Sequence, residues 1–315
     1  MDDYKQQVVD FFDRRTAYDA EGDSHPNEAK RLLEYVPLEP GQAVLDIATG
    51  TGLVAIAAAK QVAPNGSVTG VDMSSGMLEQ AKSKIAAEGI DNLELIEADI
   101  EAMQRGLGEG LSPECSRGVY MPRGLPHERH RGYRLKVPSG RWRVRAVQEA
   151  IAFDVEQFDV IFCCSALVYI SDLTAMLNNC YDWLKPGGCF AFTTPDKKSH
   201  LAEVRVKLCR DLFGIDLPHI IRPLWTPEKC RNLLQQSGFK NIAIEKYLYS
   251  RTKIANNYSS VRIEREFYPR GNPLSNLPQA QKELLQVEYA KAVTRLIAKQ
   301  GVWQSAYNLY VKAYK

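Results

Sequence analysis

Val44-Leu45-Asp46-Ile47-Ala48-Thr49-Gly50-Thr51-Gly52 is an apolar strand that reaches a carboxylate and then breaks into a glycine-rich turn. Glycine belongs where backbone must turn tightly and approach a ligand with no side chain between them. The run Leu53-Val54-Ala55-Ile56-Ala57-Ala58-Ala59 follows at once and reads as the start of a buried helix. Strand, turn and helix together make the first unit of a nucleotide-binding α/β sheet. Alone, that unit has two readings. Gly50-Thr51-Gly52-Leu53-Val54-Ala55 also fits the G-x-G-x-x-A dinucleotide fingerprint, and Asp72 falls about 20 residues on, where a ribose-binding acid belongs.

The rest of the chain separates them. Ser67-Val68-Thr69-Gly70-Val71-Asp72 is a second strand ending in an acid, and Leu93-Glu94-Leu95-Ile96-Glu97-Ala98 a third that ends at Asp99-Ile100. Phe158-Asp159-Val160-Ile161-Phe162-Cys163-Cys164 reads as a fourth, and Leu184-Lys185-Pro186-Gly187-Gly188 leads into a fifth at Cys189-Phe190-Ala191-Phe192-Thr193. In this order the sequence resembles the class I S-adenosylmethionine-dependent methyltransferases. Asp46 through Gly52 looks like their first motif, with Ala48 where many members carry glycine. The Ala-Thr-Gly-Thr-Gly wording is similar to that of the quinone-biosynthesis C-methyltransferases. The resemblance implies a Rossmann-like doubly wound α/β sheet of six parallel strands and an antiparallel seventh. The alternating Ala306-Tyr307-Asn308-Leu309-Tyr310-Val311-Lys312-Ala313-Tyr314 supplies that last strand.

At 315 residues the chain reads as a single domain, and its 45% hydrophobic and 25% charged fractions are ordinary for a soluble enzyme. No apolar run approaches the ~20 residues that span a bilayer. Seven scattered cysteines with no CxxC pair, and an N-terminus without an apolar signal core, lead us to expect a reduced, cytoplasmic protein. The adjacent Cys163 and Cys164 read as core thiols rather than a redox pair. Net charge is only +2, but residues 104–150 hold nine Arg and one Lys against four Glu. Any case for nucleic-acid binding rests on that segment alone.

That segment interrupts a link between strands three and four that Glu101-Ala102-Met103 and Phe153-Asp154-Val155 would otherwise make directly. Residues 104–151 therefore read as an insertion within the domain, rich in Gly, Pro and Arg. Its second half alternates Tyr133, Leu135 and Val137 with Arg134 and Lys136, turns at Pro138-Ser139-Gly140, then alternates Trp142, Val144 and Ala146 with Arg141, Arg143 and Arg145. This pattern predicts a hairpin with one basic face. Residues 5–35 read as two helices, the first with an apolar stripe of Val8, Val9, Phe11 and Phe12, the second opening at the cap Ser24-His25-Pro26. Further helices are expected over residues 201–213, from Thr226-Pro227 to Gln236, and over residues 279–299. The last, with Leu284, Leu285, Val287, Ala290, Val293, Leu296 and Ile297 apolar, would form a helical cover over residues 256–300. Strand six is expected at Ile242-Ala243-Ile244-Glu245.

In such a fold ligands bind outside the carboxyl ends of the strands. The resemblance implies S-adenosylmethionine as cofactor, with the turn Thr49–Gly52, Thr49, Gly50 and Gly52 among it, giving backbone N–H groups to its amino-acid end, Ala48 also binding the cofactor and Asp46 facing the α-amino group. It implies that Asp72 holds the ribose hydroxyls, that Met73 and Ile100 pack on the adenine and that Asp99 takes its amino group. Cys164 would line the wall. Each Asp by itself has a plainer reading as a helix cap, but three at successive strand ends make that reading poor for the set. Methyl transfer needs a general base only for some acceptors. Among His25, His200 and His219, His25 ranks first; Tyr18 and Tyr169 are expected beside the methyl group. No metal site is suggested. The expected function is methyl transfer to a small organic acceptor, at O or C rather than N, since strand four ends Cys-Cys-Ser-Ala and lacks the Asn/Asp-Pro-Pro-aromatic run of base N-methyltransferases. Two rivals stand beside it: an RNA or protein methyltransferase using the basic insertion, and an NAD(P)-dependent reductase. Membrane contact is not expected, and nucleic acid is the less favoured partner.

Overall fold

A computed structural model describes residues 2–105, 145–146, 152–197, 202–218, 223–224, 226–253, 272–300 and 303–315. Seven long strands form one sheet: β1 (Ala43–Ile47), β2 (Ser67–Asp72), β3 (Leu93–Glu97), β4 (Phe158–Cys163), β5 (Leu184–Pro195), β6 (Lys240–Lys253) and β7 (Trp303–Tyr314). Their spatial order is 3-2-1-4-5-7-6. β1 to β5 run parallel, and β7 lies antiparallel between β5 and β6. This is the doubly wound arrangement with an antiparallel seventh strand that the sequence implied. Strand order reverses between β1 and β4, so the crevice for a ligand opens there.

Side chains alternate across the sheet as strand geometry requires. Leu45, Ile47, Phe158, Ile161, Cys163, Phe190 and Phe192 pack on one face with Trp183 and Phe239. Val44, Val160, Phe162, Cys189 and Ala191 pack on the other with Leu32, Ala55, Ala59 and Leu78. Among the described residues eight α-helices cover these faces and ends: α1 (Asp3–Asp13), α2 (Ser24–Tyr35), α3 (Leu53–Val62), α4 (Ser75–Glu88), α5 (Leu173–Trp183), α6 (Ala202–Phe213), α7 (Pro227–Gln236) and α8 (Gln279–Gln300). α7 starts as its sequence specifies, with Thr226 accepting from Lys229 N–H and proline at the first turn.

Several boundaries differ from expectation for identifiable reasons. β5 begins at Leu184 rather than Cys189, because Leu184 already pairs with Phe158; the Lys185–Gly188 turn then bulges out before Cys189 rejoins Val160. β6 extends to Lys253, since a long β7 is there to pair with it. Ser24 is inside α2 and does not cap it; Asp23 precedes the helix in a helical conformation with no side-chain cap bond. Pro26 is tolerated so early because a first-turn N–H has no helical partner. In α8 the buried stripe is Leu285, Tyr289 and Val293, which packs with Val206 and Cys209 of α6, and Leu217. Leu284 and Val287, apolar positions of the same helix, are 44% and 50% exposed. Residues 256–271 of the expected helical cover lie outside the described residues, as does the basic hairpin except Arg145–Ala146, which pair parallel to the end of β3.

Phe162 is fully buried at the centre of β4. Phe162→Ala is expected to lower unfolding free energy by about 3–5 kcal/mol in urea titration. Val287→Ala on the exposed side of α8 should change it by no more than about 0.5 kcal/mol.

Candidate active site

The turn after β1 is built from left-handed backbone: Ala48 (φ 52°), Gly50 (φ 54°) and Gly52 (φ 79°). Ala48 holds this conformation at a cost of about 1–2 kcal/mol that glycine would not incur. What the turn achieves is to wrap the backbone over two acids. Asp46 Oδ2 accepts from Thr49 Oγ1 at 2.6 Å and from Ala55 N–H at 3.1 Å. Asp72 accepts Gly50 N–H on one oxygen and Ser74 N–H on the other, both at 2.8 Å. Burial pushes the Asp46 carboxyl up to about 7 against the pull of those hydrogen bonds, and pushes Asp72 up to about 6.

One cavity gathers Asp46, Ala48, Thr49, Gly50, Asp72, Met73, Asp99, Ile100 and Cys164 on its wall, with Tyr18, His25 and Tyr169. Gly52 is not on that wall. It faces α3 and α4, where an added Cβ would meet Ile56 at 3.1 Å and Ala81 at 3.3 Å, so it serves close helix packing. The expected ring of turn amides also needs correcting. Thr49 N–H donates to Val71 O, Gly50 N–H to Asp72 and Gly52 N–H to Thr49 O, so three of the four N–H groups from Thr49 to Gly52 are engaged within the protein.

The other walls come from the N-terminal segment. Phe12 meets Tyr169 edge-on with centroids 5.6 Å apart, and Tyr18 stacks on His25 at 4.8 Å. Tyr4 Oη donates to Tyr169 O at 3.0 Å. Burial and the nearby Arg15 charge hold His25 below its ordinary range, so the imidazole is uncharged at neutral pH. Burial raises the Tyr169 phenol and the Cys164 thiol, which are likewise uncharged. Asp99 Oδ1 accepts Glu101 N–H at 2.9 Å, while its Oδ2 pairs with Lys5 Nζ at 2.6 Å; Lys5 also meets Glu101 at 3.0 Å. Asp13 accepts from Ser74 Oγ at 2.6 Å and Gly76 N–H at 3.0 Å. Asp19 bonds Thr51 Oγ1 at 2.6 Å and Lys84 Nζ at 2.5 Å.

Lys5, Asp13 and Asp19 were not singled out from the sequence. Lys5 had a signal: it stands three and seven residues before Val8 and Phe12, in register with the inward stripe of α1. His200 and His219 lie outside the described residues. Among the described residues no three His, Cys, Asp or Glu side chains gather as a metal site, and no helix is long and apolar enough to cross a membrane.

A family profile described as a methyltransferase domain matches residues 23–244, well over half of the chain and including the whole turn and all three acids. The chain belongs to the methyltransferase domain family. Its sheet is that of the class I S-adenosylmethionine-dependent group that the sequence resembles. The aklanonic acid methyltransferase DauC of Streptomyces sp. (strain C5) is 34% identical over 100 residues, 31% of this chain and 46% of that protein. The demethylmenaquinone methyltransferase of Symbiobacterium thermophilum is 34% identical over 115 residues, 36% of this chain and 45% of that one. The chain thus spans less than half the length of these curated relatives. The YcgJ protein of Bacillus subtilis has the same fold, with a TM-score of 0.53 at 14% identity over 92% of this chain and 99% of its own.

Because burial raises both acids, the native state holds more protons than the unfolded chain between about pH 4 and pH 7, and stability falls as pH rises across that window. Asp46→Asn keeps both accepted hydrogen bonds and needs no proton. Urea unfolding at about pH 5 and pH 8 should show a smaller difference between the two pH values in this variant than in the wild type.

Proposed function

We propose that this methyltransferase moves a methyl group from S-adenosylmethionine to a small organic acceptor, at a hydroxyl oxygen or an activated carbon. One observation carries the reading: Asp46, Asp72 and Asp99, from the ends of three adjacent strands, line a single cavity whose other end is aromatic. The residues fit the cofactor. Asp46, buried beneath the turn, would face its α-amino group and repel the pyrophosphate of a dinucleotide. Gly50, Ser74 and Met73 N–H groups all bond the Asp72 carboxylate, which keeps about one of its roughly four acceptor sites for a ribose hydroxyl. Met73 and Ile100 would flank the adenine, and its amino group would share Asp99 with Lys5. When bound, the cofactor supplies an activated methyl group on a positively charged sulfur. Holding an acceptor in line with it is worth up to roughly 7–11 kcal/mol of the barrier.

Phe12, Tyr18, His25 and Tyr169 would frame the acceptor. Such a wall suits a flat, largely apolar molecule, and the uncharged His25 can accept a hydrogen bond from its hydroxyl. Two of the relatives are named for aklanonic acid and demethylmenaquinone, organic acceptors rather than macromolecules. We also assign residues 104–151 as an insertion dispensable to the domain, because Gln104–Arg105 pair with Ala152–Phe153 and so bring its two ends together.

Asp72→Ala should weaken S-adenosylmethionine binding at least tenfold by calorimetry, since a hydrogen bond to a charged group contributes about 1.5–3 kcal/mol, with circular dichroism unchanged. Incubating the protein with methyl-labelled donor and a panel of phenols, quinols and carboxylic acids should give a labelled product by mass spectrometry. Cofactor binding unaffected by Asp72→Ala would remove the ribose assignment.

Joining Met103 to Phe153 by a short Gly/Ser link should leave a folded protein with unchanged cofactor affinity, because closure entropy grows only logarithmically with loop length. Neither protein should bind RNA or DNA in gel shifts near physiological salt. Tight, salt-sensitive binding lost on deletion would favour a nucleic-acid substrate.

A further inference from the structure

Glu28 is 2% exposed, yet no ion pair reaches it among the described residues. It lies on α2, one turn beyond His25, and meets side chains from β5, β7 and the residue after β4. Its Oε2 accepts from Ser165 Oγ at 2.7 Å and its Oε1 from Asn308 Nδ2 of β7 at 2.6 Å; the Thr193 hydroxyl of β5 also bonds it. Ser165 follows β4, lines the cavity, and sits at φ 57°, a left-handed conformation that is strained for a serine. Its backbone N–H is tied to Thr193 Oγ1 at 2.8 Å, which fixes the residue while its hydroxyl turns to Glu28. A carboxyl so placed is costly to bury, and a packing role alone needs no acid there.

We propose that Ser165 and Glu28 form a proton relay that takes the acceptor's hydroxyl proton out of the cavity. The inference rests on the small-molecule methyltransferase reading above. As the acceptor oxygen gains the methyl group, its O–H bond breaks and the proton passes to Ser165 Oγ. The serine's own proton passes to Oε2 of ionised Glu28, which becomes a neutral carboxylic acid. The sulfur loses its methyl group and its positive charge, and the stored proton leaves to water with the product. Burial favours the protonated form of Glu28 and opposes protonation of His25, which is also penalised by Arg15, so the proton comes to rest on Glu28. The other titratable groups facing Glu28 are the Cys164 thiol and the Tyr310 phenol of β7. Both are raised by burial and stay uncharged at neutral pH.

Two measurements test the relay. The first needs no acceptor: carbon NMR of protein labelled at the glutamate side-chain carboxyl, titrated from about pH 5 to pH 9, with Glu28→Gln to assign the signal. Glu28 should ionise well above the exposed glutamates, and Ser165→Ala should shift its titration. A Glu28 that titrates with the exposed glutamates, or stays protonated throughout, overturns the proposal. The second measures turnover of a hydroxyl acceptor from the panel. Glu28→Gln, and Ser165→Ala should the first variant fold poorly, should lower kcat about 100-fold and abolish its rise with pH, with S-adenosylhomocysteine affinity within about twofold. A Glu28→Gln enzyme with the wild-type rate and pH profile, even at a lower melting temperature, leaves only a clamp and overturns the relay. Absence of any methylated product from the wild type speaks against the small-molecule reading instead, and the titration still decides for Glu28.

Discussion

Two carboxylates at neighbouring strand ends, Asp46 buried and Asp72 half-buried, are the constraint around which this protein is arranged. Among the described residues their hydrogen bonds come from backbone N–H groups and one hydroxyl rather than from a cation. To bring those donors round, the chain must leave β1 through left-handed backbone, which is why glycine recurs there and why Ala48 is strained. Buried acids met by neutral donors are held at raised pKa, ready to lose a proton when a cation arrives. A dinucleotide fold puts the same kind of turn to the opposite electrostatic use, offering donors to pyrophosphate. Here the Gly50 N–H and the Thr49 hydroxyl turn inward to Asp72 and Asp46, and the Thr49 and Gly52 N–H groups are taken by backbone carbonyls.

The N-terminal segment completes the site from the other side. Its three polar latches land on three different strand ends: Lys5 on Asp99, Asp13 beside Ser74 after β2, and Asp19 on Thr51 after β1. Partly exposed ion pairs contribute little each, so the burial of Tyr4, Val8 and Val9 of α1 supplies most of the hold. The latches set register rather than strength. They hold Phe12, Tyr18 and His25 on the same cavity as Tyr169.

The sheet was legible because its strands are short apolar runs ending in acids or glycine turns, a pattern the buried parallel strand imposes residue by residue. The cavity wall was nearly as legible, since strand ends converge wherever strand order reverses. The turn's N–H groups were misjudged because a sequence does not show where a donor points; three of them satisfy the protein itself before any ligand arrives. Gly52 was assigned to the ligand when its missing Cβ makes room for Ile56 and Ala81. In α8, Leu284 and Leu285 are equivalent as letters, and only the position of α6 decides which is buried. Glu28 gave no signal at all. A glutamate in a helix reads as a solvated side chain, and its burial depends on Ser165, Thr193 and Asn308, which lie 137 to 280 residues away along the chain.

We propose that the acids at these strand ends receive the cationic amino-acid end of a sulfur nucleoside. Calorimetric titration with S-adenosylhomocysteine near pH 6.5, repeated in buffers of different ionisation enthalpy, tests it directly. Binding should be accompanied by net proton release, as Asp46 ionises against the incoming ammonium group, with no comparable heat from NADH. Binding of NADH with no response to S-adenosylhomocysteine would contradict it.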